Sequence, residues 1–166
     1  MIILGIDPGL AIIGYGVLEY KNSKFRTIDY GAITTPAGMD IVERLELIYK
    51  GMNQLFHMYD IDEVGIEQLF FNKNVTTGIA VAQARGVTLL SCAHHKVPVY
   101  SYTPLQVKQG VCGYGRADKT QVQKMVTAFL GLNSVPKPDD VADALAVAIC
   151  HAHSNRIGKE LGRFSD

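Results

Sequence analysis

The chain begins with the run MIILGI, and Asp7-Pro8-Gly9 ends this run abruptly. A run without polar residues is typical of a β-strand that is buried on both faces, and such a strand requires helices packed above and below it. The opening residues therefore predict an α/β protein. Asp7 follows the strand directly, at the end where open α/β sheets bind ligands. Asp before Pro-Gly is also common in tight turns, so Asp7 can be either a ligand-binding residue or only a turn residue.

The rest of the chain predicts two more strands and then an alternation of helices and strands. The Asn-Ser turn in KNSK joins its two strands so closely that they must be antiparallel. The predicted strands are 1–6, 12–20, 25–34, 63–69 and 97–102; the predicted helices are 40–59, 76–93, 103–110, 118–130 and 139–153, with GVCGYGR as a glycine-rich loop. We expect one domain over 1–166, with a flexible tail at about 156–166, built on a five-stranded mixed sheet with helices on both faces.

Three further carboxylates lie in apolar surroundings, where an unpaired charge is costly. Glu67 falls within an apolar stretch of the fourth predicted strand, which favours a buried strand over an edge strand facing water. Asp140 and Asp143 are three residues apart and share one face of the last helix in its first turn. Asp139 beside them has a plainer interpretation as the N-cap of that helix. If the first and fourth strands are adjacent and parallel, these acids converge on Asp7.

Carboxylates without His or Cys form a hard oxygen ligand set, which suits Mg²⁺ or Mn²⁺ rather than Zn²⁺. Sites of this kind can hold two ions about 3.5–4 Å apart, which clamp the attacking and leaving oxygens of a phosphoryl displacement. The sequence therefore predicts a site at which metal-activated water hydrolyses a phosphodiester.

The net charge of zero conceals segregated charges. Residues 1–67 carry a net charge of −5, residues 68–138 carry +7 and residues 139–166 carry −2. This distribution fits an anion on the middle segment, and it equally fits charges spread over solvated faces. Three cysteines without CxxC spacing argue against a disulfide framework or a zinc site and favour the reducing cytoplasm. No apolar run approaches the roughly 20 residues that cross a bilayer, so we expect no membrane association.

Five segments resemble, in order, those of the RuvC family of Holliday junction resolvases. They are GIDPGLAIIGYGVLE, IEQLFFNKN, AQARGV, QVKQGVCGYGRADKTQVQKMV and PDDVADALAVAICHAH, and they cover most of the chain. The resemblance implies the ribonuclease H-like fold and a homodimeric endodeoxyribonuclease that nicks two opposed strands of a four-way DNA junction during recombination and repair. It also implies two Mg²⁺ ions per site, with Mn²⁺ as a substitute, ends with 5′-phosphate and 3′-hydroxyl groups, and the branch-migration proteins RuvA and RuvB as partners.

The resemblance assigns roles to individual residues. The catalytic, metal-binding acids fall on Asp7, Glu67, Asp140 and Asp143, and basic residues that assist catalysis fall on Lys108 and Lys119. The family's aromatic residue that stacks on an unpaired base falls on Phe70. At the next position this chain has Phe71, where the resemblance leads us to expect a less bulky residue. Either of the two phenylalanines can therefore be the stacking residue. With the basic middle segment, the predicted DNA-binding set is Phe70, Phe71, Lys73, Arg85, Lys108, Arg116, Lys119 and Lys124.

Several of these features have other interpretations. The helix 76–93 is rich in small residues and could pack against its own copy across a two-fold axis or against the sheet. A ribonuclease H-like nuclease acting on RNA and a junction-binding module with a dead site are the rival functions, and an actin-like kinase would need about twice this length.

Asp118-Lys119-Thr120 lacks the Gly that precedes the Lys of a P-loop. The histidines of His94-His95 and of His151-Ala-His153 match no zinc signature, and we expect them at surfaces or helix ends.

Overall fold

The computed structural model describes residues 1–69 and 75–160. The elements follow in the order β1 (Ile2–Asp7), β2 (Ile12–Lys21), β3 (Lys24–Thr34), α1 (Ile41–Met58), β4 (Glu63–Glu67), α2 (Val75–His94), β5 (Val99–Tyr102), α3 (Pro104–Cys112), α4 (Lys119–Leu130) and α5 (Asp139–Glu160). Every predicted element is present. The largest difference is in α5, which continues past His153 to Glu160, so the segment predicted as a tail begins inside a helix. In the described part of the chain, no helix has both the length and the apolar character that crossing a membrane requires.

The five strands form one mixed sheet in the order β3-β2-β1-β4-β5. β1, β2 and β3 are antiparallel neighbours, whereas β4 is parallel to β1 and β5 is parallel to β4. This arrangement confirms the predicted mixed sheet and the adjacency of the first and fourth strands. The predicted turn between β2 and β3 is also confirmed, because Asn22 and Ser23 both adopt the left-handed conformation, with φ of 52° and 60°.

Each face of the sheet carries its own hydrophobic core. α1 and α2 cover one face, where Leu4 and Ile6 of β1 are buried. α3, α4 and α5 cover the other face, where Ile3 is buried. Because side chains alternate along a strand, Asp7 is in phase with Ile3 and points to the face that α5 covers. The strand pattern thus directs the Asp7 carboxylate towards the helix that carries the other predicted aspartates.

Four glycines form the surface on which α5 rests, and we call Gly5, Gly14, Gly16 and Gly65 the glycine floor. A methyl group on Gly5 would overlap the main chain at Ala144 and Ala148, and one on Gly14 would overlap the main chain of Asp140. The missing side chains let α5 lie directly against the backbone of β1, β2 and β4. Since residues 141–148 of this helix are almost entirely buried, its position on the sheet is closely defined.

Two capped helices carry the predicted catalytic lysines. Thr103 caps α3 and Asp118 caps α4, each through a capping box with the glutamine three residues later. The prediction that Val111 and Cys112 belong to a loop is wrong, because they lie in the last turn of α3, whose C-cap is Gly113 with φ of 81°. Lys108 therefore lies within a helix, and Lys119 is the first residue of the next one.

Candidate active site

Asp7 and Glu67 lie side by side at the carboxyl ends of two adjacent parallel strands. β1 and β4 pair in register up to Ile6 and Ile66, and the two acids are the next residues of their strands. Their carboxyl groups share a hydrogen bond. Burial, followed by the negative charges of Glu67 and the two α5 aspartates, raises the pKa of Asp7 to about 8. This pair therefore retains a proton at neutral pH unless a cation replaces it.

The first turn of α5 brings Asp140 and Asp143 to the same place. Asp7 pairs with Gly14 in the β1–β2 ladder, and the main chain of Asp140 packs directly on Gly14. Burial raises the pKa of Asp143, and its contact with Lys119 opposes this change. Burial is also the main reason why the pKa of Glu67 is raised. All four acids that the sequence singled out thus meet at one end of the sheet.

Lys119 is the cation nearest to these acids in the described structure. Its Nζ atom lies 3.1 Å from Oδ2 of Asp143 and 3.3 Å from Oδ2 of Asp139. Burial lowers the pKa of Lys119, but the hydrogen bonds to these two aspartates outweigh it and the net pKa is raised. Asp139 is inside the helix and also pairs with Lys137 at 2.7 Å, so the expected N-cap role is replaced by an ion-paired cluster.

A cavity of about 170 Å³ opens beside the acids. Its charged lining residues are Glu67, Asp143, Lys108 and Lys119, and its apolar lining residues are Pro104, Val107, Val122 and Ala146. A second cavity of about 180 Å³ adjoins it at Glu67 and Pro104 and is lined by Asp7 as well. Carboxylates and amines therefore line the same cavity, which suits a phosphate that contacts both a carboxylate-bound cation and the lysines.

The donor set fits a hard divalent cation. Four carboxylates and no nitrogen or sulfur ligand converge from three elements, and their mutual repulsion contributes to the raised pKa of Asp7. In residues 1–69 and 75–160, no three Asp, Glu, His or Cys side chains are arranged to hold an ion as they stand. Ligation therefore requires new rotamers for these carboxylates and release of the proton on Asp7.

The structure brings together only part of the predicted DNA-binding set. Lys108 and Lys119 line the cavity beside the acids. Arg85 lies on α2, and its Nη2 donates a hydrogen bond of 2.9 Å to Oγ of Ser101 in the edge strand β5. Arg116 and Lys124 are exposed and form no ion pair with any described acid. The three remaining members, Phe70, Phe71 and Lys73, lie outside the described residues.

A buried histidine of α5, about two turns beyond Asp143, was missed. The prediction that His151 lies at a surface or helix end is wrong, because its side chain has no exposed area. Its Nε2 lies 2.6 Å from Glu63 and its Nδ1 lies 2.6 Å from the hydroxyl of Tyr102. The available signal was the period of two in β4, which puts Glu63 on the same face as Glu67 and therefore under the same helix.

A mixed sheet in the order β3-β2-β1-β4-β5, antiparallel and then parallel, with helices on both faces is the ribonuclease H-like fold. Solved structures of low identity show the same fold. The yeast mitochondrial Holliday junction resolvase Ydc2 is 14% identical, with a TM-score of 0.71 over 98% of this chain and 83% of that one.

Sequence comparison specifies the family. The family model described as "Crossover junction endodeoxyribonuclease RuvC" matches residues 3–151, and the chain belongs to this family. The RuvC protein of Clostridioides difficile is 74% identical over 97% of this chain and 95% of its own length. That of Halothermothrix orenii is 55% identical over 98% of both chains. The structure of T. thermophilus RuvC in complex with a Holliday junction substrate is 36% identical, with a TM-score of 0.91 over 95% of this chain and 96% of that chain.

Proposed function

We propose that this protein is a structure-selective endodeoxyribonuclease that resolves four-way DNA junctions by nicking two opposed strands symmetrically, in recombination and repair. One observation carries the proposal: Asp7, Glu67, Asp140 and Asp143 converge beside Lys108 and Lys119 in a chain of the RuvC family. Support also comes from the likeness to a relative solved with a Holliday junction substrate. The complete set of acids argues against a binding module with a dead site, because unrelieved repulsion among them would only destabilise the fold.

The proposed cofactor is Mg²⁺, with Mn²⁺ as a substitute and two ions per site. When bound, the ions supply a nucleophilic water and stabilise the departing 3′ oxygen, which yields 5′-phosphate and 3′-hydroxyl ends. Asp7, Glu67, Asp140 and Asp143 are the proposed ligands. Lys108 and Lys119 line the cavity with two of these ligands, Glu67 and Asp143, and are proposed to hold the scissile phosphate there. Lys119 leaves Asp143 when the phosphate arrives, and its exposed side chain has the freedom to do so.

We propose that the enzyme acts as a homodimer that pairs through α2. Symmetric nicking of opposed strands requires two active sites related by a two-fold axis. α2 offers a suitable face, since Ile79 and Leu90 are each at least half exposed, at 54% and 50%, and a methyl group on Gly86 between them would meet no atom within 4 Å. Two apolar residues around a glycine let the backbones of two helices approach closely.

The resemblance further supports RuvA and RuvB as partners that direct cleavage. Phe70 or Phe71 is the proposed stacking residue for an unpaired base, and Lys73, Arg85, Arg116 and Lys124 are proposed to contact DNA with the two cavity lysines. Because the proposed substrate is chromosomal DNA, we propose that the enzyme acts in the cytoplasm.

The test is cleavage of an end-labelled synthetic four-way junction, with Mg²⁺, Mn²⁺ or chelator, beside a linear duplex and an RNA junction of the same sequences. We expect paired nicks in opposed strands, on the DNA junction only and with either metal. The exposed, ion-paired acid Glu46 on α1 supplies the control variant Glu46→Gln, which should cleave like the unmodified protein. Cleavage of RNA alone would move the function to RNA processing, and tight binding of the junction without any cleavage under the metal conditions would indicate a binding module.

A further inference from the structure

A cavity of about 520 Å³ lies outside the carboxylate site, on the other side of Asp140. Its walls come from the β1–β2 connection at residues 9–12, from Arg44 of α1, from the first turns of α2 around Thr76, and from Asp140 itself. Nothing in the proposed cleavage mechanism uses it. Since Asp140 belongs to both places, whatever occupies this cavity lies next to the proposed metal ligands.

Arg44 is the cation of this cavity, and the structure holds it in place without neutralising it. Its Nε donates a hydrogen bond of 2.8 Å to Oγ1 of Thr35, and that hydroxyl donates one of 2.6 Å to the carbonyl of Leu10. Among the described residues Arg44 forms no ion pair. A guanidinium has five N–H donors, so at least two remain for a ligand after the contacts to Thr35.

The chemistry of the cavity favours a phosphate. A guanidinium that is fixed in orientation and has two donors on one edge matches an oxyanion bidentately. α2 begins at Val75, so the positive end of its dipole lies at the same wall, close to Thr76. The carboxylate of Asp140, which also lines the cavity, repels an anion, so the phosphate is expected closer to Arg44 than to Asp140.

We propose that Arg44 binds a backbone phosphate of the cleaved DNA strand, beside the scissile phosphate and beyond Asp140. The inference rests on the proposed function, because it assumes that the scissile phosphate lies among the four acids. A strand that crosses those acids carries its neighbouring phosphates past Asp140, and the Arg44 cavity is the cationic space on that path.

The test is the salt dependence of junction binding, measured by fluorescence anisotropy with chelator present so that no strand is cut. The slope of log K against log salt concentration is negative, and each lost phosphate contact reduces its magnitude by about 0.9. We expect Arg44→Gln to reduce the magnitude of this slope by about 0.9 per chain. Binding at low salt should weaken about 5–10-fold. Arg44→Lys keeps the charge and should keep most of the slope. The control Lys50→Gln removes a cation of the same helix that is paired with Glu46, and should leave the slope unchanged.

Cleavage kinetics separate a phosphate contact from a merely structural role. Loss of a phosphate contact raises KM for the junction with little change in kcat, whereas displacement of Asp140 lowers kcat and leaves the salt slope unchanged. The inference is overturned if Arg44→Gln binds with the slope of the unmodified protein. If the unmodified protein neither binds nor cleaves the junction, the proposed function fails instead, and the two failures are thus distinguishable.

Discussion

A methyl group on Gly14 would overlap the main-chain carbonyl of Asp140, so the first turn of α5 rests on bare backbone of β2. Asp7 is the neighbour of Gly14 in the β1–β2 ladder. The distance between the carboxylates of β1 and those of α5 is therefore set by a contact between two main chains. Main chains in a packed core move little, so this contact fixes the geometry of the proposed metal site more firmly than any side-chain contact does.

Substitution of this glycine should separate activity from folding. We expect Gly14→Ala to push the start of α5 off the sheet, lowering kcat for junction cleavage at least about 100-fold and the free energy of unfolding by about 1–3 kcal/mol. Gly16→Ala is the matched control, because the atoms nearest to its methyl group would belong to the side chain of Leu145 and not to the main chain of α5. Steady-state cleavage and urea unfolding of both variants check this. Equal kcat in the two variants would contradict it.

Asp7→Asn should abolish cleavage, keep junction binding equal or tighter, and stabilise the fold. Burial raises the pKa of Asp7 to about 8, above its ordinary value of 3.8. A carboxyl group whose pKa is raised by folding stabilises the folded state fully only below the pKa that it has in the unfolded chain. This stabilisation is lost as the pH rises towards 8. The gain in Tm of the variant over the unmodified protein, with chelator present, should thus grow from pH 4 to pH 8 and reach at least about 2–4 °C. A variant that no longer binds the junction would contradict a purely catalytic role.

Metal affinity should depend on pH through the same group. A cation that binds Asp7 must displace the proton that the raised pKa of about 8 retains. At limiting Mg²⁺, the cleavage rate should rise by up to about tenfold per pH unit below pH 8 and level off above it. At saturating Mg²⁺ this rise should largely disappear. Rate profiles at two Mg²⁺ concentrations measure this, and identical profiles at both would contradict it.

The His151 chain should stabilise α5 on the sheet. Burial lowers the pKa of His151, so its neutral ring accepts a hydrogen bond from Tyr102 and donates one to Glu63. We expect His151→Leu to lower the free energy of unfolding by about 2–4 kcal/mol, because both partners lose this hydrogen bond in a buried place. His57→Gln, at the exposed end of α1, should change it by less than about 0.5 kcal/mol. Urea unfolding checks this, and equal stability of the two variants would contradict it.

Leu90→Asp should produce monomers if α2 forms the proposed dimer face. The substitution places two like charges at the two-fold axis, where water is excluded. Light scattering after size exclusion should show half the mass of the unmodified protein, and the opposed nicks should no longer be paired. Met58→Asp is the control, since Met58 is similarly exposed, at 56%, but lies on α1. A dimeric Leu90→Asp variant would place the interface elsewhere.

Local chemistry made much of this architecture predictable from sequence. The apolar run of β1 and the crossover rule for parallel strands placed Asp7 beside Glu67, and helical spacing placed Asp140 with Asp143. The end of α3 was less predictable, because Gly110, Gly113 and Gly115 are all acceptable helix terminators and only tertiary packing selects Gly113.

Contacts between distant residues were not predictable. The burial of His151 depends on Glu63 and Tyr102, which are 88 and 49 residues away in the chain. The Arg44 cavity depends on Thr35 and on the approach of α2, neither of which leaves a periodic signal near Arg44. Sequence patterns report what lies within one element, and these two features exist only between elements.

The glycine floor also has a consequence for how such an enzyme can change over time. A helix that rests on side chains can be shifted by small, tolerated substitutions underneath it, but α5 rests on backbone and offers no such gradual adjustment at Gly5 or Gly14. Variation in metal preference or substrate range must therefore arise around the site, in α3, α4 and the loops. We expect laboratory evolution for altered specificity to leave Gly5 and Gly14 untouched and to accumulate its changes on those elements.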